Sequence, residues 1–271
     1  MQRRTPLTVK SAEECLSSWL EECGDASITG QAEVLAVRRD VVALLSFVRD
    51  NKVIGTQGTG NMPLKAVREV TARFVDPLEL ETVIGDKTYR LRSEEDLWPL
   101  YLLHVLAEVG GLMKTGRARR WRLTAQGERF LRAEPILQVP FLLAVWWHRV
   151  NWLIAYPLQG MGHALPHFFP EATLASLRSM PIGVDIPFDE FADGLIAATG
   201  LTWTAEDSRF AASALRASIE RMVIGMLARF GAVECKRRKE PLGRGTISRL
   251  VSFNITAWGM TVLNAIAILR R

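Results

Sequence analysis

The chain has 271 residues, 48% of them hydrophobic and 23% charged, with a formal net charge of +5. That length suits two modest domains, each with its own core, and the composition excludes a largely disordered chain. Cys15, Cys23 and Cys235 form no metal-type pair, so the thiols are expected to stay reduced in a cytoplasmic protein.

Residues 1–35 read as an acidic helical segment. Ser11 to Glu22 is an amphipathic helix with Ala12, Cys15, Leu16, Trp19 and Leu20 on one side, and Gly24 to Gly30 is a loop. The first domain is expected over 36–135. Val37, Val41, Leu44, Leu45 and Val48 form a helical stripe that ends near Asp50 and Asn51. Gly55 to Asn61 is a glycine-rich turn. Glycines let a backbone approach phosphate, but no Gly-Lys-Ser/Thr follows, so a plain turn is the reading. Asn61 is the expected cap, and Pro63 the first-turn residue, of a helix that buries Leu64, Val67, Val70 and Phe74.

Asp76 to Arg92 connects onward with a short strand at Lys87–Leu91. Ser93 and Asp96 resemble a capping box, so the next helix is expected over Glu94–Val109. Gly110 and Gly111 stop it. Two short strands, Leu112–Lys114 and Trp121–Leu123, then flank a Thr115-Gly116 turn, and Thr124 caps the following helix.

Residues 136–180 read as an apolar linking helix and a Pro/Gly/His loop, with the domain boundary between Gly160 and Pro187. Ile136 to Leu158 is long enough to span a bilayer. Gln138, His148, Arg149 and Asn151 interrupt it, so no membrane partner is expected. The second domain, 181–271, begins with a helix from Phe188 to Ala198, stopped at Gly200. Thr204 and Asp207 start another helix, whose stripe runs through Leu215, Ile219, Met222, Val223, Met226, Leu227 and Phe230 to a stop at Gly231. Strands follow at Ala232–Lys236 and Ser248–Ile255, with a mobile loop expected from Arg237 to Ile247. Thr256 caps the last helix.

One nine-residue phrase occurs twice. Leu123-Thr124-Ala125-Gln126-Gly127-Glu128-Arg129-Phe130-Leu131 returns as Ile255-Thr256-Ala257-Trp258-Gly259-Met260-Thr261-Val262-Leu263. Each copy closes the same pattern of apolar helix, glycine stop and basic strand pair. The threonine caps the free amides of the helix start. A glycine three residues on costs about 1 kcal/mol in a helix, so its repetition implies close packing against a neighbouring backbone. The pattern defines a mainly α fold with small β-hairpins: two winged-helix (helix-turn-helix) domains joined by an apolar helix.

The first domain resembles winged-helix domains of bacterial proteins associated with the plasmid pRiA4b ORF-3 group. The residues that carry the resemblance are Leu44-Leu45, Gly60-Asn61-Met62-Pro63-Leu64-Lys65, Glu108-Val109-Gly110-Gly111-Leu112 and Leu123-Thr124-Ala125-Gln126-Gly127. It covers roughly 36–133, and it implies a fold without carrying any catalytic residue. The second domain resembles only the general pattern, through Gly231, the basic strands and Thr256-Ala257-Trp258-Gly259.

Charge concentrates in the two wings. Lys114, Arg117, Arg119, Arg120 and Arg122 lie in the first, and none of them carries sequence information if it holds only phosphate. The helix before it, Leu97 to Glu108, has no Lys or Arg to read a base edge and is structural. Lys236, Arg237, Arg238, Lys239, Arg244 and Arg249 lie in the second wing, and Arg209, Arg216, Arg221 and Arg229 on its long helix. Counted this way, residues 235–239 are the best anion site and the C-terminal copy the stronger DNA-binding module. The expected function is therefore DNA binding through basic wings, as in a transcriptional regulator. The alternative is a protein-interaction scaffold, or a homodimer, motivated by the apolar helix Leu97 to Glu108 and by Trp146, Trp147 and Trp152 as an exposed docking surface. His163 and His167 are four apart, the spacing of metal ligands on a helix, but Pro166 lies between them. Idle histidines are the reading, and no metal, cofactor or catalytic residue is expected. Asp185, Asp189 and Glu190 near Pro187 read as helix caps.

Overall fold

A computed structural model describes residues 7–22, 26–84, 87–155, 165–203, 208–242 and 245–270. The chain is mainly helical with small antiparallel sheets. It divides into two compact units, Met1–Val150 with Leu269–Arg271, and Asn151–Ile268. The division after Val150 falls ahead of the 160–187 segment in which the sequence placed it. The apolar stretch that begins at 136 is divided between them: residues to Val150 belong to the first unit and those from Asn151 to the second.

The first unit runs α1 (Val9–Glu22), α2 (Ala26–Val34), α3 (Ala36–Asp50), α4 (Leu64–Thr71), β1 (Glu81–Ile84), β2 (Lys87–Arg90), α5 (Trp98–Val109), β3 (Met113–Lys114), β4 (Arg122–Leu123), α6 (Ala125–Arg132) and α7 (Pro135–His148). The α3 stripe is buried as its periodicity requires, at Val37, Val41, Leu44, Leu45 and Val48. α7 is buried along nearly its whole length, and Gln138 within it donates to the Phe130 carbonyl at 2.7 Å. Where a loop was expected at 24–30, α2 begins at Ala26. Packing against α7 and α3 outweighs the helix cost of Gly30.

Local signals were displaced twice. Asp96 accepts from the Ser93 and Arg92 amides at 3.0 and 2.9 Å, half of the expected capping box, yet the helix starts only at Trp98. Glu94 is drawn inside. Asn61 does not cap α4, whose N-cap is Pro63; its side chain donates to Glu95 at 2.9 Å. The strand expected at 87–91 is β2, paired antiparallel with β1.

The second unit runs α8 (Trp152–Ala155), α9 (Phe169–Arg178), β5 (Ile186–Pro187), α10 (Phe188–Thr199), α11 (Ser208–Ile219), a π-helical segment Glu220–Ile224, α12 (Gly225–Arg229), β6 (Val233–Leu242), β7 (Gly245–Ile255) and α13 (Ala257–Ile268). α9 occupies part of the expected loop, with Pro170 in its first turn and Phe169, Leu174 and Leu177 buried. Gly200 ends α10 in the left-handed conformation at φ 65°, as its position after the stripe implies. The long helix keeps its stripe but passes through one π turn, where the Gly225 amide bonds the Glu220 carbonyl. The loop expected at 237–247 is mostly strand. β6 and β7 pair from Val233↔Ile255 to Leu242↔Gly245, with a bulge between Lys236 and Arg237.

The two units share a partial order of elements, interrupted in the first by the β1–β2 hairpin between α4 and α5, which has no counterpart in the second. Helix, short strand, helix, helix, hairpin and capped helix are α3, residues 53–55, α4, α5, β3–β4 and α6 in the first. They are α9, β5, α10, α11 to α12, β6–β7 and α13 in the second. In the second, β5 pairs with β7; in the first, residues 53–55 form an isolated bridge to 119–121, which lead into β4. The Gly55 amide bonds the Arg119 carbonyl and the Trp121 amide the Val53 carbonyl, both at 2.9 Å.

The repeated phrase has the same geometry twice. Gly111 and Gly231 stop their helices at φ 69° and 67°. The Thr124 and Thr256 hydroxyls accept from the amides of Gly127 and Gly259 at 3.0 and 2.8 Å. Their own amides donate to the Leu112 and Ala232 carbonyls at 3.0 and 3.1 Å. Each phrase glycine lies against that same carbonyl. A Cβ on Gly127 would stand 2.1 Å from the Leu112 oxygen, and one on Gly259 1.8 Å from the Ala232 oxygen.

Candidate nucleic-acid interface

The first wing is a pinned loop rather than a free hairpin. β3 and β4 pair through only Met113↔Leu123 and Lys114↔Arg122. The rest of the wing is held by the glycine turn at 55–60. The Ala118 amide donates to the Gly55 carbonyl at 3.1 Å, and buried Trp121 donates through Nε1 to the Gly60 carbonyl at 3.3 Å. The approach is too close for a side chain, since a Cβ on Gly55 would stand 2.3 Å from the Gly116 oxygen. Ala118 itself sits at φ 52°, a conformation disfavoured for a non-glycine residue and kept here by those bonds. Thr115, at the start of the turn, donates to Glu108 at the end of α5. The glycine turn read from sequence as a plain turn is thus the support of the wing.

Lys114, Arg117, Arg119, Arg120 and Arg122 are all exposed on this support. None of them forms an ion pair among the described residues. α5 buries Leu100, Leu102, Leu103, His104, Leu106 and Ala107, and so offers no cation to a base edge.

Under the wing lies a buried ionic chain that the sequence reading missed. Glu94 is fully buried; it accepts from the Met62 amide at 2.6 Å and meets His104 Nδ1 at 2.7 Å. His104 Nε2 lies 3.4 Å from Glu108 Oε2, inside ion-pair range but without a hydrogen bond. The Trp121 ring centroid is 4.5 Å from the imidazole. Burial alone would lower the His104 pKa, but Glu108 and Glu94 outweigh it and hold the value up at about 9. The imidazole is therefore charged at neutral pH. The His104–Glu108 spacing of one helical turn was visible in the sequence; the arrival of Glu94 was not.

The second wing holds as much positive charge, but its cations are answered by carboxylates. Arg216 makes a two-pronged pair with Asp193, Nε to Oδ1 at 2.8 Å and Nη2 to Oδ2 at 2.6 Å. Arg249 lies 2.6 Å from Asp189 and 3.8 Å from Glu240, and Arg238 is 2.7 Å from Glu240. Arg237 pairs with Glu220 of the π segment at 2.8 Å, and Lys236 with Asp185. Lys239 is exposed without an ion pair among the described residues. Arg244 and the side chain of Arg209 lie outside the described residues. The acids near Pro187 are not simple caps. Pro187 is the N-cap of α10 and accepts no side-chain bond, while Asp185 and Asp189 reach the wing. The weight of unpaired positive charge moves from residues 235–239 to the first wing.

One further expectation changes. Trp146, Trp147 and Trp152 are buried, not exposed, and Trp152 packs edge-on against Phe169 at 6.0 Å. His163 lies outside the described residues, and His167 is exposed with its ring against Phe168. No group of three metal-type ligands occurs among the described residues. Among these residues, too, no helix is long and apolar enough to cross a membrane. Comparison with protein families, curated proteins and solved structures finds no match for this chain.

Proposed function

We propose that the chain is a nucleic-acid-binding protein with two winged-helix modules, a transcriptional regulator in kind, whose first wing grips DNA phosphates. The observation that carries this reading is the set of five exposed cations on the pinned first wing, none with a carboxylate partner among the described residues. An unpaired guanidinium needs to break no internal bond before it meets phosphate, and a fixed loop loses little conformational entropy on binding. The winged-helix reading is supported by the run of helix, glycine stop, antiparallel strand pair and threonine-capped helix that both units contain. Because α5 has no Lys or Arg and its one cation, His104, is buried, the first module holds backbone rather than reading bases. Burial of the tryptophans removes one of the two features that motivated the scaffold alternative and leaves the apolar helix α5.

The test is fluorescence anisotropy on a labelled duplex across a salt series. The variant Arg117→Glu, Arg119→Glu, Arg120→Glu should abolish binding. Replacing each cation by Gln instead should flatten the plot of log affinity against log salt by about 0.9 for every phosphate no longer neutralised. Reversal of Lys236, Arg237, Arg238 and Lys239 should cost less. Binding by the wild type that ignores salt, or that survives reversal of the first wing, would sink the proposal.

A further inference from the structure

A second group of arginines lies away from the wing. In the first unit a cleft of about 510 Å³ opens between the first two turns of α3 and residues 73–75, beyond α4. Arg38, Arg39 and Arg73 line it together with Asp40. The volume is that of a small-molecule site, about 300–1,000 Å³.

Two of the three guanidinium groups are already fixed. Arg38 is half-buried, with neutral partners. Its Nη1 donates to Gln138 Oε1 at 2.9 Å and its Nη2 to the Glu33 carbonyl at 3.0 Å, while its buried Nε has no partner. Burial pushes its pKa down, with Glu33 opposing and Arg39 adding to the fall. Arg73 stands 4.9 Å over the Phe47 ring centroid, a cation–π contact that holds it at the rim. None of the three forms an ion pair among the described residues. Asp40 is fixed as well, since the Val75 amide donates to its Oδ1 at 2.8 Å. Burial raises the Asp40 pKa, and neighbouring Asp76 adds to that rise.

Planar guanidinium forks match the oxygens of a phosphate; Arg73 is already held in place, and Arg39 is exposed beside it on the cleft with no ion pair among the described residues. Asp40 and Asp76 oppose a continuous polyanion such as a nucleic-acid strand. They suit a small molecule that sets one anionic group on the arginines and presents a hydroxyl to Asp40. We propose that this cleft binds a small organic phosphate, with its phosphate on Arg39 and Arg73 and a hydroxyl on Asp40.

The test is calorimetry and thermal melting of the full chain with glucose 6-phosphate, adenosine 5′-monophosphate, inorganic phosphate and glucose. At least one of the two organic phosphates should bind, and glucose should not. Arg39→Gln and Arg73→Gln should each weaken that binding about tenfold or more. Arg39 is exposed and forms no ion pair among the described residues, so its variant keeps the test sound even if Arg73→Gln disturbs Phe47. Asp40→Asn should narrow the preference for organic over inorganic phosphate. Failure of both organic phosphates to bind, or binding unchanged in Arg39→Gln, overturns the proposal. The double variant Arg39→Gln, Arg73→Gln should hold duplex DNA as the wild type does. A loss of DNA affinity as large as that of the first-wing reversal would assign the cleft to nucleic acid and overturn the small-molecule reading.

Discussion

Replacing Gly259 by alanine should destabilise the second unit, although the same change stabilises an ordinary helix. Real Cβ atoms essentially never come within 3.0 Å of another heavy atom, and this one would stand 1.8 Å from the Ala232 oxygen, so the two must part by 3.0 − 1.8 = 1.2 Å. For Gly127→Ala against the Leu112 oxygen the figure is 3.0 − 2.1 = 0.9 Å. Neither obstacle is a flexible side chain. Each is a backbone carbonyl that also accepts the amide of the capping threonine, at 3.1 Å for Thr256 and 3.0 Å for Thr124. Moving it strains the glycine-stopped helix end and lengthens the bond that sets the cap. Overpacking of this kind costs about 1–3 kcal/mol. A weakened hydrogen bond adds about 1 kcal/mol. The gain in helix propensity returns about 1 kcal/mol. The net expectation is a loss of about 1–3 kcal/mol in either variant.

Gly194 supplies the internal control. It lies within α10, and a Cβ there would meet nothing within 4 Å. Gly194→Ala should therefore stabilise the second unit by about 0.5–1 kcal/mol. Urea unfolding followed by tryptophan fluorescence and far-ultraviolet dichroism measures all three. The units need not unfold together, so each transition is read by its own midpoint. Gly259→Ala should lower a midpoint that Gly194→Ala raises, and Gly127→Ala should lower that of the first unit. A Gly259→Ala protein as stable as the wild type would refute the close-approach account of the repeat.

The His104 chain gives a pH dependence of definite sign. Its folded pKa of about 9 lies above the ordinary 6.5, so its stabilising contribution is complete below pH 6.5 and is lost as pH rises through about 9. That contribution is on the order of 3 kcal/mol at most. Denaturant midpoints of the first unit should fall across this window, and His104→Gln should remove the slope; a slope that persists in the variant would assign it to another group. A second prediction concerns the paired cations of the other wing. Asp189→Asn with Asp193→Asn should release Arg216 and leave Arg249 only its longer contact with Glu240, raise affinity for duplex DNA at low salt and steepen the salt plot by about 0.9 to 1.8. Unchanged affinity and slope would show that these pairs do not restrain a DNA contact.

What the sequence could disclose depended on the range of the interaction involved. The repeated phrase was legible because its partners are close in the chain: cap and glycine lie three residues apart, and the helix stop is a glycine beside the strand it feeds. The α3 and long-helix stripes were legible for the same reason. Elements fixed by distant packing were not. α2 formed across a glycine because α7 was there to receive it, and Glu94 left its expected helix for a histidine ten residues on. Tryptophans in an apolar helix could be core or docking surface on periodicity alone, and burial decided for core.

Charge shows the limit most clearly. Counting cations along the chain made 235–239 the best anion site, because a count sees each lysine and arginine but not its partner. The acids that answer them lie 51 residues away for Lys236, 60 for Arg249 and 23 for Arg216. The first wing has fewer cations, but its glycine turn and its bond to Glu108 hold them where no carboxylate reaches them among the described residues. A polyanion competes only with water for those side chains, whereas at the second wing it must first displace a carboxylate from a preformed pair. On the function proposed above, the two basic hairpins differ through a few acids on α10 and its approach, and it is those acids, more than the basic residues, that would direct a nucleic acid to the first one.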